Sequence, residues 1–391
     1  MGGTGAAVGE GFEATYLNPA LLSRARSREL QIGWQAVSLS LYVDGPNAPG
    51  ELSTEGLTGT FIGLTLPVPF GGVLERRVAL GIGVFSPTAR IARARVLYPE
   101  RAQFPALPDR LQTLSFNAGA GVDLGYGLRV GAGALLLAEM VGTVVVANEA
   151  TGSVGTQVDS QLVATYAPNI GASFESGDYI VGLDWRGELE GNFDVQVEVR
   201  DLGQLVVPNL DIAGVAQYDP MQAQLELARR SGSLELAVGV TYKRWSDFGG
   251  WARPTVTCPE EHPGCAALIP PSVDLSDTWV PRVGGAYGLP LGPRARGTLR
   301  AGYFFEPSPL PEQTGRVNYL DNHRHAFTLG YGVQLLEPWP RLRVDTFYQL
   351  HWLQAREHVK GTDVEPENEG APMVQAGGWL HNFGLVAGVR F

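Results

Sequence analysis

Apolar residues alternate one by one with small or polar residues through most of this chain, in runs of about ten residues or more. In Ser233–Trp245 the even positions are Leu234, Leu236, Val238, Val240 and Tyr242. The odd positions between them are Ser233, Glu235, Ala237, Gly239, Thr241 and Lys243. Ala326–Leu335 sets Phe327, Leu329, Tyr331, Val333 and Leu335 against Ala326, Thr328, Gly330, Gly332 and Gln334. Arg341–Leu353 sets Leu342, Val344, Tyr348, Leu350 and Trp352 against Arg341, Arg343, Asp345, Gln349 and His351. Successive side chains of an extended strand point to opposite faces, so a period of two is the mark of β structure. Each such strand has one fully apolar face and one small or charged face.

A soluble β-sandwich also alternates, so the connections decide the class. Fourteen strands are expected, near 30–43, 57–68, 76–88, 112–124, 128–146, 160–175, 179–199, 217–230, 233–247, 277–289, 297–306, 322–336, 341–356 and 376–391. Short links (125–127, 176–178, 231–232) alternate with long ones (44–56, 91–111, 248–276, 307–321, 357–375). Tight turns at one end and long loops at the other describe an all-β, 14-stranded antiparallel transmembrane barrel of outer-membrane type. Closure satisfies every ladder group, which open strands in lipid cannot do. An even count puts both termini on the periplasmic side. The last strand carries Trp379, Phe383, Leu385, Ala387 and Val389 on one face and ends in Phe391, an aromatic end that suits outer-membrane assembly.

Composition narrows the alternatives. A spanning helix needs about 20 apolar residues, and the nearest run, Val130–Ala147, is interrupted by Glu139 and carries three glycines. The net charge of −11 argues against nucleic acid, which wants a basic face. Of 29 basic residues only Lys243 and Lys360 are lysines, which fits coding bias. Gly-x-Ser-x-Gly and His-Glu-x-x-His are absent, so no enzyme is expected, and no cofactor or metal. The chain opens without an export signal, as an exported protein does when it starts in its mature part or has had its signal replaced.

Before the first strand lies a Gly-rich stretch ending in ATYLNPALLSR, residues 14–24. Asn18 is placed to cap, Pro19 suits a first helical position, and Ala20, Leu21 and Leu22 follow as helix formers. Leu17, Leu21 and Leu22 call for burial. A barrel of this width has a lumen to fill, so residues 1–28 are expected as a luminal plug and residues 29–391 as the barrel. In the first strand Leu30, Ile32, Trp34 and Ala36 share one parity, and Val37, Leu39, Leu41 and Val43 the other. A β-bulge near Ala36–Val37 would restore a single facing.

Three stretches carry a resemblance: GGTGAAVGEGFEATYLNPALLSR at the N-terminus, TYKRWSDF at 241–248, and LRAGYFFEPSPLPEQTGRVNYLDNHRHAFTLGYG at 299–332. In order, on fourteen strands, they resemble the FadL-like long-chain fatty acid and hydrocarbon transporters of the Gram-negative outer membrane. The family's acidic pair before Arg324 is reduced here to Asp321, with His323 in the second place. The resemblance implies a hatch at Asn18, Pro19 and Ala20, luminal binding of a long-chain fatty acid or other hydrophobic small molecule, and sideways release. It also implies a monomer surrounded by outer-membrane lipid and lipopolysaccharide.

The candidate residues have two readings each. Ser86 and Pro87 in the third strand either open a lateral gap towards strand two, since Pro87 has no N–H to donate, or merely end the strand. Asn18 either ties the plug to the wall or only caps its turn. Arg300, Arg324 and Arg343 either hold a carboxylate head group or pair with Asp345, Asp123, Glu139 and Glu235. Cys258 and Cys265, six residues apart in an exported loop, are expected as a local disulfide, a zinc site there lacking a fourth ligand. Trp34, Trp185, Trp245, Trp279, Trp352 and Trp379 are expected as interface girdles. A non-specific porin and a secretion or scaffold barrel are the competing functions.

Overall fold

The computed structural model describes residues 1–391 apart from 53, 55, 89–98, 108–113, 149–153, 201–209, 252–254, 257–272 and 337–340. For 73, 139–148, 154–163, 193–200, 210–214, 216 and 255–256 only the backbone is described. Cys258 and Cys265 lie outside the described residues.

The strands are β1 (Glu29–Asp44), β2 (Gly50–Leu52), β3 (Leu57–Pro67), β4 (Val78–Pro87), β5 (Ser115–Gly125), β6 (Leu128–Asn148) and β7 (Val154–Ser176). They continue as β8 (Tyr179–Arg186), β9 (Leu189–Arg200), β10 (Leu210–Asp219), β11 (Met221–Ser231), β12 (Leu234–Arg244) and β13 (Thr255–Val256). The last five are β14 (Thr278–Pro290), β15 (Ala295–Glu306), β16 (Arg324–Leu335), β17 (Arg341–Val359) and β18 (Met373–Arg390). β8 with β9, and β10 with β11, each form one span. β2 and β13 are short additions to the loops. The result is a closed, antiparallel barrel of fourteen spans, sealed where β1 pairs with β18 from Glu29↔Arg390 to Asp44↔Gln375.

The wall follows from the period of two. Outward positions such as Ile32, Ile62, Ile82, Ile170, Leu183, Leu236, Leu329 and Phe383 are exposed and apolar, as lipid requires. At the narrow turns the chain reverses on glycines in the left-handed region, among them Gly232 at φ 60°. Trp34, Trp185, Trp279, Trp352 and Trp379 are exposed on this outer face. Trp245 is not part of that girdle. It packs on a cluster among the long loops, 5.7 Å from Tyr218, because the strand has already ended at Arg244.

β1 carries no bulge. Its register with β18 runs unshifted through Ala36–Val37, and so does its register with β3 down to Val37↔Leu57. The odd positions face inward throughout. What changes is the surroundings. Below Ala36 the inward residues are polar or small (Glu29, Gln31, Gly33) and the outward ones greasy. Above it Val37, Leu39, Leu41 and Val43 are buried inside, while Ser38, Ser40 and Asp44 face out. The inversion marks where the inward face of the strand stops lining the polar lumen and joins a packed apolar cluster.

Loops supply part of that cluster. Ala102 and Phe104, from the connection after β4, pack with Leu320 on Leu39, Leu41, Leu353 and Leu380. Each such aliphatic side chain contributes about 1.5–3 kcal/mol by leaving water. A second cluster joins Tyr218, Phe248, Trp251, Leu310 and Tyr319. Backbone bonds tie the loops together: Gln103 N–H donates to Asn318 O at 3.1 Å, and Leu320 N–H donates to Gln103 O at 2.8 Å. Asn318 Nδ2 donates to Glu100 O and to Asn368 Oδ1, both at 2.8 Å.

Candidate functional site: the barrel lumen

Residues 1–24 lie against the inner wall. A 3-10 turn (Gly11–Glu13), a four-residue helix α1 (Ala14–Leu17) and a 3-10 helix (Pro19–Arg24) make up its ordered part. Asn18 both caps and ties. Its Oδ1 accepts from Ala20 N–H at 3.0 Å, and its Nδ2 donates to Ala6 O at 2.6 Å and to Ala172 O of β7 at 3.0 Å. Pro19 follows at the first helical position, and Pro19, Ala20, Leu21 and Leu22 are all buried.

Close approach is possible because the wall is bare there. A Cβ on Gly171 or Gly182 would fall on the Asn18 side chain or on the Ala6 carbonyl. A Cβ on Gly121 would stand 2.5 Å from Pro19 O, and one on Gly81 2.6 Å from Leu22 and Thr15. Two wall side chains reach in to meet the backbone of the segment. Asn169 Nδ2 donates to Thr15 O at 2.9 Å. The fully buried Glu226 carboxylate accepts from the N–H groups of Gly5, Ala6 and Ala7 at 2.7, 3.2 and 3.0 Å. Arg24 donates to Ala7 O at 2.9 Å and pairs with Glu175 at 3.5 Å. Burial pulls its guanidinium down to about 10, which leaves it charged at neutral pH.

Glu226 and Asn169 were not singled out by sequence. Their signal was available: two-apart glycines on the inward parity of consecutive strands (Gly81 and Gly83, Gly119 and Gly121, Gly131 and Gly133) leave room for backbone, and backbone needs polar partners.

Beside the segment an open cavity of about 940 Å³ continues along β1 and β14–β18, lined among others by Glu10, Phe12, Gln31, Gln35, Arg343 and Asp345. The three candidate arginines all have carboxylate partners. Arg300 Nη1 and Arg343 converge on Asp345, the former at 2.8 Å, and Arg343 also faces Glu10 at 3.6 Å. Higher up, Arg324 and Lys243 share Glu306, two cations on one carboxylate. Outside the spans, burial pushes the Asp321 carboxyl up to about 6. Burial, with Arg356 nearby, holds His323 below its ordinary value, and its Nδ1 accepts from Ser308 N–H at 3.0 Å.

Ser86 and Pro87 end β4 at its loop side. The ladder to strand two is unbroken from Pro67↔Ala79 through Thr60↔Ser86 to Gly59↔Pro87, so no gap opens at Pro87. The ladder runs on past it, with Thr88 N–H donating to Thr58 O at 2.9 Å, so the missing N–H of Pro87 points away from strand two.

The family described as outer membrane protein transport protein (OMPP1/FadL/TodX) matches residues 1–385. This chain belongs to that family. Alkane uptake protein A of Marinobacter nauticus is 21% identical over 382 residues, covering 89% of this chain and 80% of that protein. A FadL homologue of Pseudomonas aeruginosa shares the fold with a TM-score of 0.63 at 14% identity, over 97% of this chain and 94% of the other. The toluene transporter TodX of P. putida does so with a TM-score of 0.57 at 15% identity, over the same shares. The FadL-like chain is thus a transport barrel for hydrophobic molecules, placed in the Gram-negative outer membrane.

Proposed function

We propose that this barrel takes up long-chain alkyl compounds, hydrocarbons or fatty acids, from outside the cell. It would bind them in the lumen past the N-terminal hatch and release them sideways into the membrane. The open cavity of about 940 Å³ beside the N-terminal segment, with Phe12, Leu17, Phe61, Phe85 and Phe347 in its lining, carries the reading. An alkyl chain gains about 0.8 kcal/mol per buried CH₂, so apolar lining of this kind captures it. Arg324 and Lys243, gathered on Glu306, are the cationic groups that a fatty-acid carboxylate would meet in the lumen, and an alkane needs no such partner. The alkane relative supports the hydrocarbon end of this range. The hatch, residues 1–28 with Asn18, Pro19 and Ala20 at its centre, blocks the straight aqueous path that a porin would need. A barrel sealed between its first and last strands fits action as a monomer amid outer-membrane lipid and lipopolysaccharide.

The test is binding of labelled oleate and labelled hexadecane to the purified, detergent-exchanged barrel, with toluene as competitor. Saturable binding is expected for both chains, with weak competition by toluene. Porin-like ion conductance together with no binding of either chain would overturn the reading.

A further inference from the structure

The two rims of the barrel carry opposite charge. Among the described residues the exposed charges of the long-loop rim are mainly carboxylates, such as Asp44, Glu51, Asp363, Glu365 and Glu367. Those of the short-turn rim are mainly guanidinium groups, Arg28, Arg76, Arg229, Arg294 and Arg341 among them. A chain with a net charge of −11 thus gathers cations at one end, against its overall sign.

Three of these arginines surround an apolar groove on the lipid-facing wall, where the last strands meet the first. The groove measures about 330 Å³ and follows β18. Ala387 is its floor, because the row Val344–Ala387–Ile32 sets one methyl group between two branched side chains. The row below, Leu342–Val389–Leu30, continues it towards the rim. Leu30, Ile32, Leu342 and Val344 are all exposed. Arg28 lies directly beneath. Its N–H donates to Phe391 O at 3.2 Å and its O accepts from Phe391 N–H at 3.0 Å, one rung beyond the β1–β18 ladder. That rung gives Arg28 the outward parity of Leu30 and Ile32. Arg341 begins β17 beside Leu342. Arg294 O accepts from Leu336 N–H at 2.8 Å, which sets Arg294 at the end of β16. Glu29, the carboxylate next in sequence to Arg28, is buried on the opposite face and pairs with Arg390 at 2.9 Å.

We propose that this groove binds one anionic glycerophospholipid of the periplasmic leaflet. An acyl chain lies over Ala387, and the phosphodiester sits among Arg28, Arg294 and Arg341. The groove opens where the wall meets acyl chains, and guanidinium groups take phosphate oxygens bidentately. A zwitterionic lipid offers the same chains without net charge, so the arginines supply the choice between lipids. The groove reaches from β17 across β18 to β1. The lipid therefore bridges the seam that closes the barrel, and it stabilises the closed state by mass action. The site lies outside the lumen and does not depend on the transport reading.

The test is native mass spectrometry of the full chain, purified in detergent, with dioleoyl phosphatidylglycerol or dioleoyl phosphatidylcholine added. One phosphatidylglycerol per chain should be retained at least about tenfold better than phosphatidylcholine. Arg28→Gln with Arg341→Gln should erase that preference and leave phosphatidylcholine retention as it was. Ala387→Leu should fill the groove and weaken retention of both lipids. Heat-modifiable mobility checks that each variant is folded, and the exposed arginine pair carries the test by itself should Ala387→Leu not fold. Equal retention of the two lipids by the parent barrel would overturn the proposal, as would a preference that survives the arginine substitutions. Unchanged retention by folded Ala387→Leu would place the lipid elsewhere on the wall. A lipid-free mass of two chains would put a second copy in the groove instead.

Discussion

The lower and upper halves of this barrel solve opposite problems with the same strands. In the lower half the outside is lipid and the inside holds a polypeptide segment, so the outward face is apolar and the inward face is glycine, asparagine and glutamate. In the upper half β1 turns its apolar face inward onto a packed cluster of wall and loop side chains and shows serine and aspartate outside, without changing register. The comparison teaches that polarity along a strand follows height in the membrane. Facing along the same strand follows only residue parity.

The largest expected effect strikes the lower half. Gly171→Leu would place a side chain where Asn18 sits and cost the docked segment about 3 kcal/mol or more. The barrel should keep its heat-modifiable mobility while its ion conductance in planar bilayers rises to that of an open pore. A closed lumen in this variant would mean that the glycine wall is not what holds the segment.

In the upper half, Leu320→Ala should leave a cavity in the packed apolar cluster and cost about 3 kcal/mol. Hexadecane binding should weaken, and conductance should stay at the parent level. A conductance change without loss of binding would reverse the roles of the two halves. Asn18→Ala removes two ties and a cap, about 1–2 kcal/mol. Uptake should slow in a barrel that still folds, and unchanged uptake would take the hatch out of the mechanism.

The smallest effect concerns the loops of the upper half. Lys360 Nζ donates to Val317 O at 2.8 Å, and burial pulls its ammonium down to about 8 against 10.5 for a solvated lysine. Between about pH 8 and 10 an opened crown keeps the proton that the closed one has lost. Closure therefore becomes more favourable as pH rises through that window. Above 10 the trend reverses, because burial pushes the Tyr319 phenol up to about 12 and the opened state loses that proton first. Amide exchange over 317–320, corrected for its intrinsic pH dependence, measures this. Slower closure-limited protection at pH 9 than at pH 7.5 would contradict it.

Much of the fold was legible because alternation is local. The fourteen expected strands correspond to the fourteen spans, most ends within about three residues, and the burial of Leu21 and Leu22 followed from their chemistry. The bulge expected in β1 was wrong because a change of parity in an apolar pattern has two causes, a slipped backbone or a changed environment, and sequence shows both alike. Pro87 is a missing donor in any reading of the sequence, and only the pairing partners reveal that the ladder to strand two runs on past it. The arginines told a similar story: Arg324 meets Glu306 across neighbouring strands and Arg300 reaches over β16 to Asp345 on β17, at separations of 18 and 45 residues.

By itself, then, the order of residues determined strand number, facing, the direction of the chain through the membrane and the presence of a segment needing cover, since each depends on neighbours one or two residues apart. The tertiary structure alone decided where the lumen turns apolar and which carboxylate each cation meets. Those depend on register between residues far apart in the chain. That register is set only once the sheet has closed and every strand has found an edge to pair with.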